Sequence, residues 1–240
     1  MKSLTILSYN IGHLYPLQPW RHIPIRKIDD IFFQHKDIPR IQSIVHQIKP
    51  DIIFFQELTS QADAEFLAKL LGFSFSSFCK NSHLKDQKLG TGILYNAENG
   101  QIKIHGSSIS MHSLCVGAYT FTNVHLNPFS KKKRATQIKE LVSYVQEHPE
   151  SRHIIGWDFN VSKRKNLWFN CVDKKSYALL TQSLNDITST ITSSHIFGYK
   201  FDYLFASPDI NISAVTCITK AQRHMDHYPI SCKIDMEYSE

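Results

Sequence analysis

A layered α/β sandwich built around one core is the fold class this sequence predicts, and three observations predict it. Strand-like and helix-like stretches alternate along the chain, and they fall into two β-rich halves with helices laid on them. Of the 240 residues, 42% are hydrophobic and 12% aromatic, enough to fill a sizeable core. Gly and Pro number nine each and are scattered, so no stretch reads as a linker or a disordered tail. No solenoid-type repeat is present. The expectation is a single domain over 1–240.

The first strand is "SLTILSYN" (3–10), an alternating pattern. "IPRIQSIVHQIK" (38–49) repeats Ile41, Ile44, Val45 and Ile48 at helical spacing and stops at Pro50. "DIIFFQE" (51–57) is a short apolar strand ending in an acid, and "ADAEFLAKLLG" (62–72) is a helix with Gly72 where a C-terminal cap belongs. "TGILYN" and "AYTFTNVHLNP" follow as strands, the second ending at His125. Ser130 then stands as N-cap to a helix carrying Ile138, Leu141, Val142 and Val145. "HIIGWDFN", a helix near 176–184, "FDYLFAS", "INISAVTCI" and "HYPISCKIDM" complete the chain.

Composition excludes several classes. "MKSLTILSYN" enters a strand pattern at once, without a long apolar stretch and a small-residue cleavage site, so no signal peptide is expected. No run approaches the roughly 18 apolar residues of a membrane helix. The expectation is a cytoplasmic monomer without stable membrane insertion. Cys79, Cys115, Cys171, Cys217 and Cys232 are odd in number and far apart, and they form no C-x-x-C. That argues against a disulfide framework or zinc ribbon and for a reducing compartment. A net charge of +6 favours polyanionic partners only weakly; where the charge falls matters more.

Polar residues recur at the strand ends: Asn10, Glu57, His125, Asp158 with Asn160, and Asp226 with His227, while Asp202 opens its strand. "GWDFN" (156–160) places a ring, an acid and an amide where a turn is expected. Singly, an Asn or Asp after a strand is an ordinary turn former, and a lone His is a packed or solvated one. In order, however, "SYN", "QE", "VHLNP", "DFN", "FDYLF" and "DHYP" are successive signatures of one family. From Ser8 to about Ile234 the chain resembles the endonuclease/exonuclease/phosphatase superfamily, the deoxyribonuclease I-like fold.

That resemblance implies a four-layer α/β/β/α sandwich with its site in the cleft between sheet edges. It also implies a divalent-metal-dependent hydrolase of phosphodiesters or phosphomonoesters. By the same resemblance Asn10, Glu57 and Asp226 are metal-site candidates. Asp158 activates or orients the attacking water, Asn160 steadies the phosphate, Asp202 orients His227, and His125 contacts the phosphate or helps the leaving group. The chemistry agrees independently. Phosphoryl oxygens gain charge in the transition state, and carboxylate and amide oxygens suit Mg²⁺ or Mn²⁺ better than Zn²⁺. A carboxylate-held His moves protons near neutral pH, so either His227 or Asp158 is the base.

Two positions depart from the family pattern: Trp157 stands where Gly usually precedes the Asp, and Met225 where Ser does. Trp157 either packs in the core or stacks on substrate. Basic runs follow two motif strands, "SKKKR" (130–134) and "SKRK" (162–165). Lys131, Lys132, Lys133 and Arg134 crowd the first turn of a helix, against its macrodipole, which a polyphosphate partner would offset; the alternative is a solvated basic face. The connection from Ile11 to Asp37 carries Trp20 among aromatic and basic residues, either to stack a base or to cover the sandwich edge. The leading expectation is a Mg²⁺-dependent nuclease acting on nucleic acid. The alternatives are a phosphodiesterase or phosphatase on lipid head groups or small esters, and a binding protein that has lost turnover.

Overall fold

The computed structural model describes residues 2–11, 38–81, 89–96, 100–106, 108–161, 174–196, 198–219 and 227–236, the Lys2 and Trp157 side chains excepted. One six-stranded sheet has the order β11 (Asn211–Cys217), β12 (Ile230–Met236), β1 (Lys2–Asn10), β2 (Ile52–Leu58), β4 (Gly90–Tyr95), β3 (Phe75–Lys80). The other has the order β5 (Gln101–His105), β6 (Met111–Val116), β7 (Tyr119–His125), β8 (Arg152–Asp158), β10 (Asp202–Ala206), β9 (Asn185–Asp186).

Both sheets are mixed. Each holds one parallel pair at its centre, β1 with β2 and β7 with β8, and every other pair is antiparallel. A parallel pair needs a crossover, and helices supply it: α1 (Ile38–Ile48) lies between β1 and β2 in the chain, and α3 (Lys131–Glu147) between β7 and β8. Parallel neighbours end on the same side. That brings the end of β1 to the end of β2, and His125 opposite Asp158 in register.

The layers follow from strand alternation. Leu4, Ile6, Ile52 and Phe54 share a core with Phe121, Ile154 and Leu204 of the second sheet. Leu7, Tyr9, Ile53 and Phe55 pack instead with Ile41, Ile44, Ala64 and Leu67 of α1 and α2 (Gln61–Leu71). On the far side Ile138 and Leu141 of α3 and Leu180 of α4 (Lys174–Leu180) join Phe159, Tyr203 and Phe205. This is the four-layer α/β/β/α sandwich. Each fully buried Ile, Leu or Phe contributes about 1.5–3 kcal/mol of transfer free energy.

Gly72 and Ser130 cap where the sequence predicts, and Ser60 is a further cap that the structure adds. Ser60 Oγ accepts from the Asp63 N–H, Gly72 sits at φ 78 with its N–H on the Ala68 carbonyl, and Ser130 Oγ accepts from the Lys133 N–H. Four strands, β3, β5, β6 and β9, are additions to the sequence reading. β3 and β5 are edges with mixed exposure, β9 is two residues long, and β6 buries the polar His112 and Ser113, so none presents a clean two-residue period. No helix among the described residues is long and apolar enough to cross a membrane.

Between the sheets, Gln56 Nε2 donates to Asn123 Oδ1 at 2.9 Å, and Asn123 Nδ2 donates to the carbonyls of Phe55 and Gly92 at 3.0 and 2.9 Å. Both side chains are fully buried, so losing a partner strands a polar group in the core. This tie fixes β2 against β7, one residue before Glu57 and two before His125.

Candidate active site

The strand ends meet as a compact polar cluster. Asn10 Nδ2 donates to Asp158 Oδ2 at 3.1 Å and to Glu57 Oε1 at 3.3 Å, joining the two sheets. Simple alternation would turn Glu57 away from this cluster, because Gln56 already faces the second sheet. A β-bulge intervenes: Gln56 pairs with Thr91 and Leu58 with Gly90, leaving Glu57 as the extra residue at φ 66. The bulge re-aims the carboxylate, and a positive φ in a non-glycine residue is strain of the kind found at functional sites. Leu58 returns to the helix side, over Gly92, where a Cβ would lie 2.2 Å from its Cδ1.

His125 ends β7. Its Nδ1 accepts from Asn81 Nδ2 at 3.0 Å, which leaves the proton on Nε2. That nitrogen lies 3.8 Å from Glu57 Oε1 and 3.8 Å from Asp158 Oδ2. Asn160 occupies the left-handed region at φ 49. Its N–H donates to Asp158 Oδ1 at 2.8 Å, and its Nδ2 donates to the Leu126 carbonyl at 3.1 Å. The amide and the acid of "DFN" thus hold each other in an Asx turn.

On the other side of Asp158, Asp202 pairs with it in register across β10 and β8. Asp202 Oδ2 accepts from His227 Nδ1 at 2.8 Å, and His227 Nε2 points back to Asp158 Oδ2 at 3.7 Å. Ser194 Oγ donates to Asp202 Oδ2 at 2.6 Å while accepting the N–H groups of Phe201 and Asp202 at 3.0 and 2.9 Å. The Ser194 carbonyl accepts the Tyr228 N–H at 2.7 Å, tying down the residue after His227. The His195 ring stands edge-on to His227 with centroids 4.9 Å apart.

Asp158 is therefore shared by two groups, Glu57–His125–Asp158 and Asp158–Asp202–His227, each with ligand-capable atoms within 4.8 Å of one another. Burial pushes the Asp158 carboxyl up to about 7; the Asp202 and Glu57 charges push the same way, and His227 and the Asn160 N–H oppose them. Crowded carboxylates with one partly open member, Glu57, and an amide between them are hard-oxygen donors that a divalent cation would neutralise. The residues present fit such an ion.

Asn10, Glu57, His125, Asp158, Asn160, Asp202 and His227 lie together in one cluster. Asp226, Trp20 and Met225 lie outside the described residues, as do Lys163 and Lys165. Trp157 continues β8 through backbone pairing with Val124 and Tyr203, and its side chain lies outside the described part. Lys131, Lys132 and Lys133 are exposed on the first turn of α3. Arg134 corrects the expectation of a substrate-facing cation. It has no exposed surface, and its Nη1 donates to the carbonyls of Asn127 and Pro128, bracing the loop before the helix. Asn81 and Ser194 touch the cluster through His125 and Asp202, and motif reading did not single them out. Each lies in an unremarkable local sequence, and its contact forms only when the chain folds, 44 positions away for Asn81 and eight for Ser194.

A model of the Endonuclease/Exonuclease/phosphatase family matches residues 7–222. No curated protein matches the chain at a significant level. Among solved structures, an AP endonuclease from Archaeoglobus fulgidus is similar over 97% of this chain and 100% of its own, with 16% identity and TM-score 0.69. The human nocturnin catalytic domain, solved with a bound sulfate anion, is similar over 97% of this chain and 93% of its own, with 12% identity and TM-score 0.68. A mannosyl-6-phosphatase from Bacteroides thetaiotaomicron covers 97% of this chain and 100% of its own, with 16% identity and TM-score 0.65. At these identities the likeness shows the fold, and the match along the sequence shows the rest: the chain belongs to the endonuclease/exonuclease/phosphatase family of phosphoesterases.

Proposed function

We propose that the chain is a divalent-metal-dependent phosphodiesterase that hydrolyses nucleic acid by in-line attack of an activated water. The observation that carries this reading is the shared position of Asp158, held between His125 and His227 at 3.8 and 3.7 Å and beside Glu57 and Asn10. Glu57 and Asn10, with Asp226 by resemblance, would hold the metal. Bound Mg²⁺ or Mn²⁺ supplies positive charge against the phosphoryl oxygens. Asp158, raised towards neutrality by burial, takes the proton of the attacking water. His125 offers Nε2–H to a phosphoryl or leaving oxygen, because Asn81 occupies its other nitrogen. His227, oriented by Asp202, offers a second donor across the site. Asn160 completes the phosphate contacts from its left-handed turn.

The choice of nucleic acid is supported by the three exposed lysines that follow the His125 strand, in a helical turn with no acidic residue. The likeness to an AP endonuclease points the same way. A second reading, hydrolysis of small phosphate esters, is favoured by the likeness to a mannosyl-6-phosphatase.

The deciding experiment offers the purified protein, with Mg²⁺ or Mn²⁺, single- and double-stranded DNA, abasic DNA, RNA, sphingomyelin, inositol phosphates and sugar phosphates. EDTA-sensitive cleavage of nucleic acid is expected. Replacing Lys131, Lys132 and Lys133 by Gln should lower the salt slope of nucleic-acid binding by about 0.9 per lost phosphate contact on duplex DNA. Turnover of small esters alone would overturn the nucleic-acid reading.

A further inference from the structure

Phe129, in the loop that joins β7 to α3, is the most exposed large apolar side chain among the described residues, at 71%. A ring so far into water is commonly carried by a loose tip, but this loop is braced at every step. Asn127 Oδ1 accepts the N–H groups of Phe129 and Ser130 at 3.1 and 2.8 Å, and the Asn127 N–H donates to Gln137 Oε1 at 2.9 Å. The buried Arg134 guanidinium spans the carbonyls of Asn127 and Pro128 at 2.9 and 3.0 Å. Burying a guanidinium is expensive, and here it goes into holding the peptide groups on either side of Pro128, the residue before Phe129.

The same loop is fastened to the catalytic groups. The Leu126 N–H donates to the Asp158 carbonyl at 3.1 Å, and Asn160 Nδ2 donates to the Leu126 carbonyl at 3.1 Å. Phe129 lies four positions after His125, a span of at most about 14 Å. Exposed Lys131, Lys132 and Lys133 follow one residue later, after Ser130.

We infer that Phe129 is a fixed stacking platform for an unpaired base of a single-stranded nucleic acid, with Lys131, Lys132 and Lys133 taking the flanking phosphates. This rests on the nucleic-acid reading above and deepens it: the substrate class is single-stranded, because a base within a duplex keeps its faces stacked on its neighbours. One exposed ring next to a run of cations matches the alternation of base and phosphate along a strand. A lipid surface fits less well, since a single Phe offers about 3 kcal/mol at most, and stable anchoring takes more apolar area than that. Ordering the backbone beneath the ring in advance leaves less entropy to lose on binding.

The test measures binding of a short single-stranded DNA containing 2-aminopurine, in EDTA so that it is not cleaved, together with hydrolysis of bis(p-nitrophenyl) phosphate in Mg²⁺. Base–aromatic stacking is worth about 1–3 kcal/mol, so Phe129→Ala and Phe129→Leu should both weaken binding by about 5- to 150-fold and lose the quenching of 2-aminopurine. Phe129→Trp should restore both. Duplex affinity and bis(p-nitrophenyl) phosphate turnover should stay at the parent's values. Parent-like oligonucleotide binding by Phe129→Ala, or full rescue by Leu, overturns the platform, and the nucleic-acid reading survives if the parent still cleaves DNA or RNA. Phosphatidylserine vesicles that bind the parent and release Phe129→Ala, with oligonucleotide binding unchanged, would assign the ring to a membrane instead. A parent that neither binds nor cleaves any nucleic acid removes both readings together.

Discussion

If Asp202 acts only by holding His227, the two residues should behave as one unit when both are replaced. The pair is joined at 2.8 Å, and Ser194 grips the same Asp202 oxygen at 2.6 Å, so Asp202→Asn keeps the shape and removes the charge. A hydrogen bond to a charged group is worth about 1.5–3 kcal/mol, which sets the expected loss in kcat for Asp202→Asn at about 10- to 150-fold. His227→Ala removes the proton-bearing group itself, and a loss of about 10²–10⁴ follows. The double variant should be no worse than His227→Ala alone, because nothing remains for Asp202 to orient. The assay is kcat and KM on a phosphodiester substrate in Mg²⁺, with thermal denaturation to confirm folding. Multiplicative losses in the double variant would refute the orienting role and give Asp202 a separate part in the reaction.

Three further outcomes follow from the same structure. EDTA should abolish activity, and Asp158→Asn should abolish it while raising stability. The folded-state carboxyl is raised from 3.8 to about 7, so folding is penalised as pH rises through that window, and the amide removes the penalty. The check is a higher Tm than the parent's in EDTA at pH 8, by about 2–4 °C for each kcal/mol relieved. His112, fully buried between Thr91 and Ser77, is lowered to about 4 by desolvation. Between its ordinary 6.5 and 4 the unfolded chain takes a proton that the folded one refuses. About 3 kcal/mol of stability, present above pH 6.5, should thus be lost as pH falls through 4. Urea denaturation of the parent and His112→Gln across that range measures the difference. Arg134→Met should destabilise by about 2–4 kcal/mol by stranding the carbonyls of Asn127 and Pro128. Arg134→Lys should rescue it poorly, since an ammonium lacks the guanidinium fork; denaturant midpoints decide this.

What the sequence determined by itself is the set of elements whose burial is one-sided or complete, and the order of the polar residues that end them. The helical spacing of Ile41, Ile44 and Val45 survives as the face that packs on the first sheet, and Gly72 and Ser130 cap where their backbone chemistry requires. Periodicity encodes which face of a segment is apolar, and that information is local. Tertiary structure decided the rest. The bulge and positive φ that turn Glu57 back towards Asn10 depend on its pairing with β4, and no residue type near Glu57 announces them. Asn81 selects the tautomer of His125 from 44 positions away, and Ser194 holds Asp202 only because two loop ends meet beside β10. Arg134 stands in a run of four basic residues, yet it alone turns inward. The helical turn presents its neighbours to water and points its own side chain at two carbonyls that need a donor. A charge run read along the chain gives composition; only the packed helix determines which of its members remain in solvent.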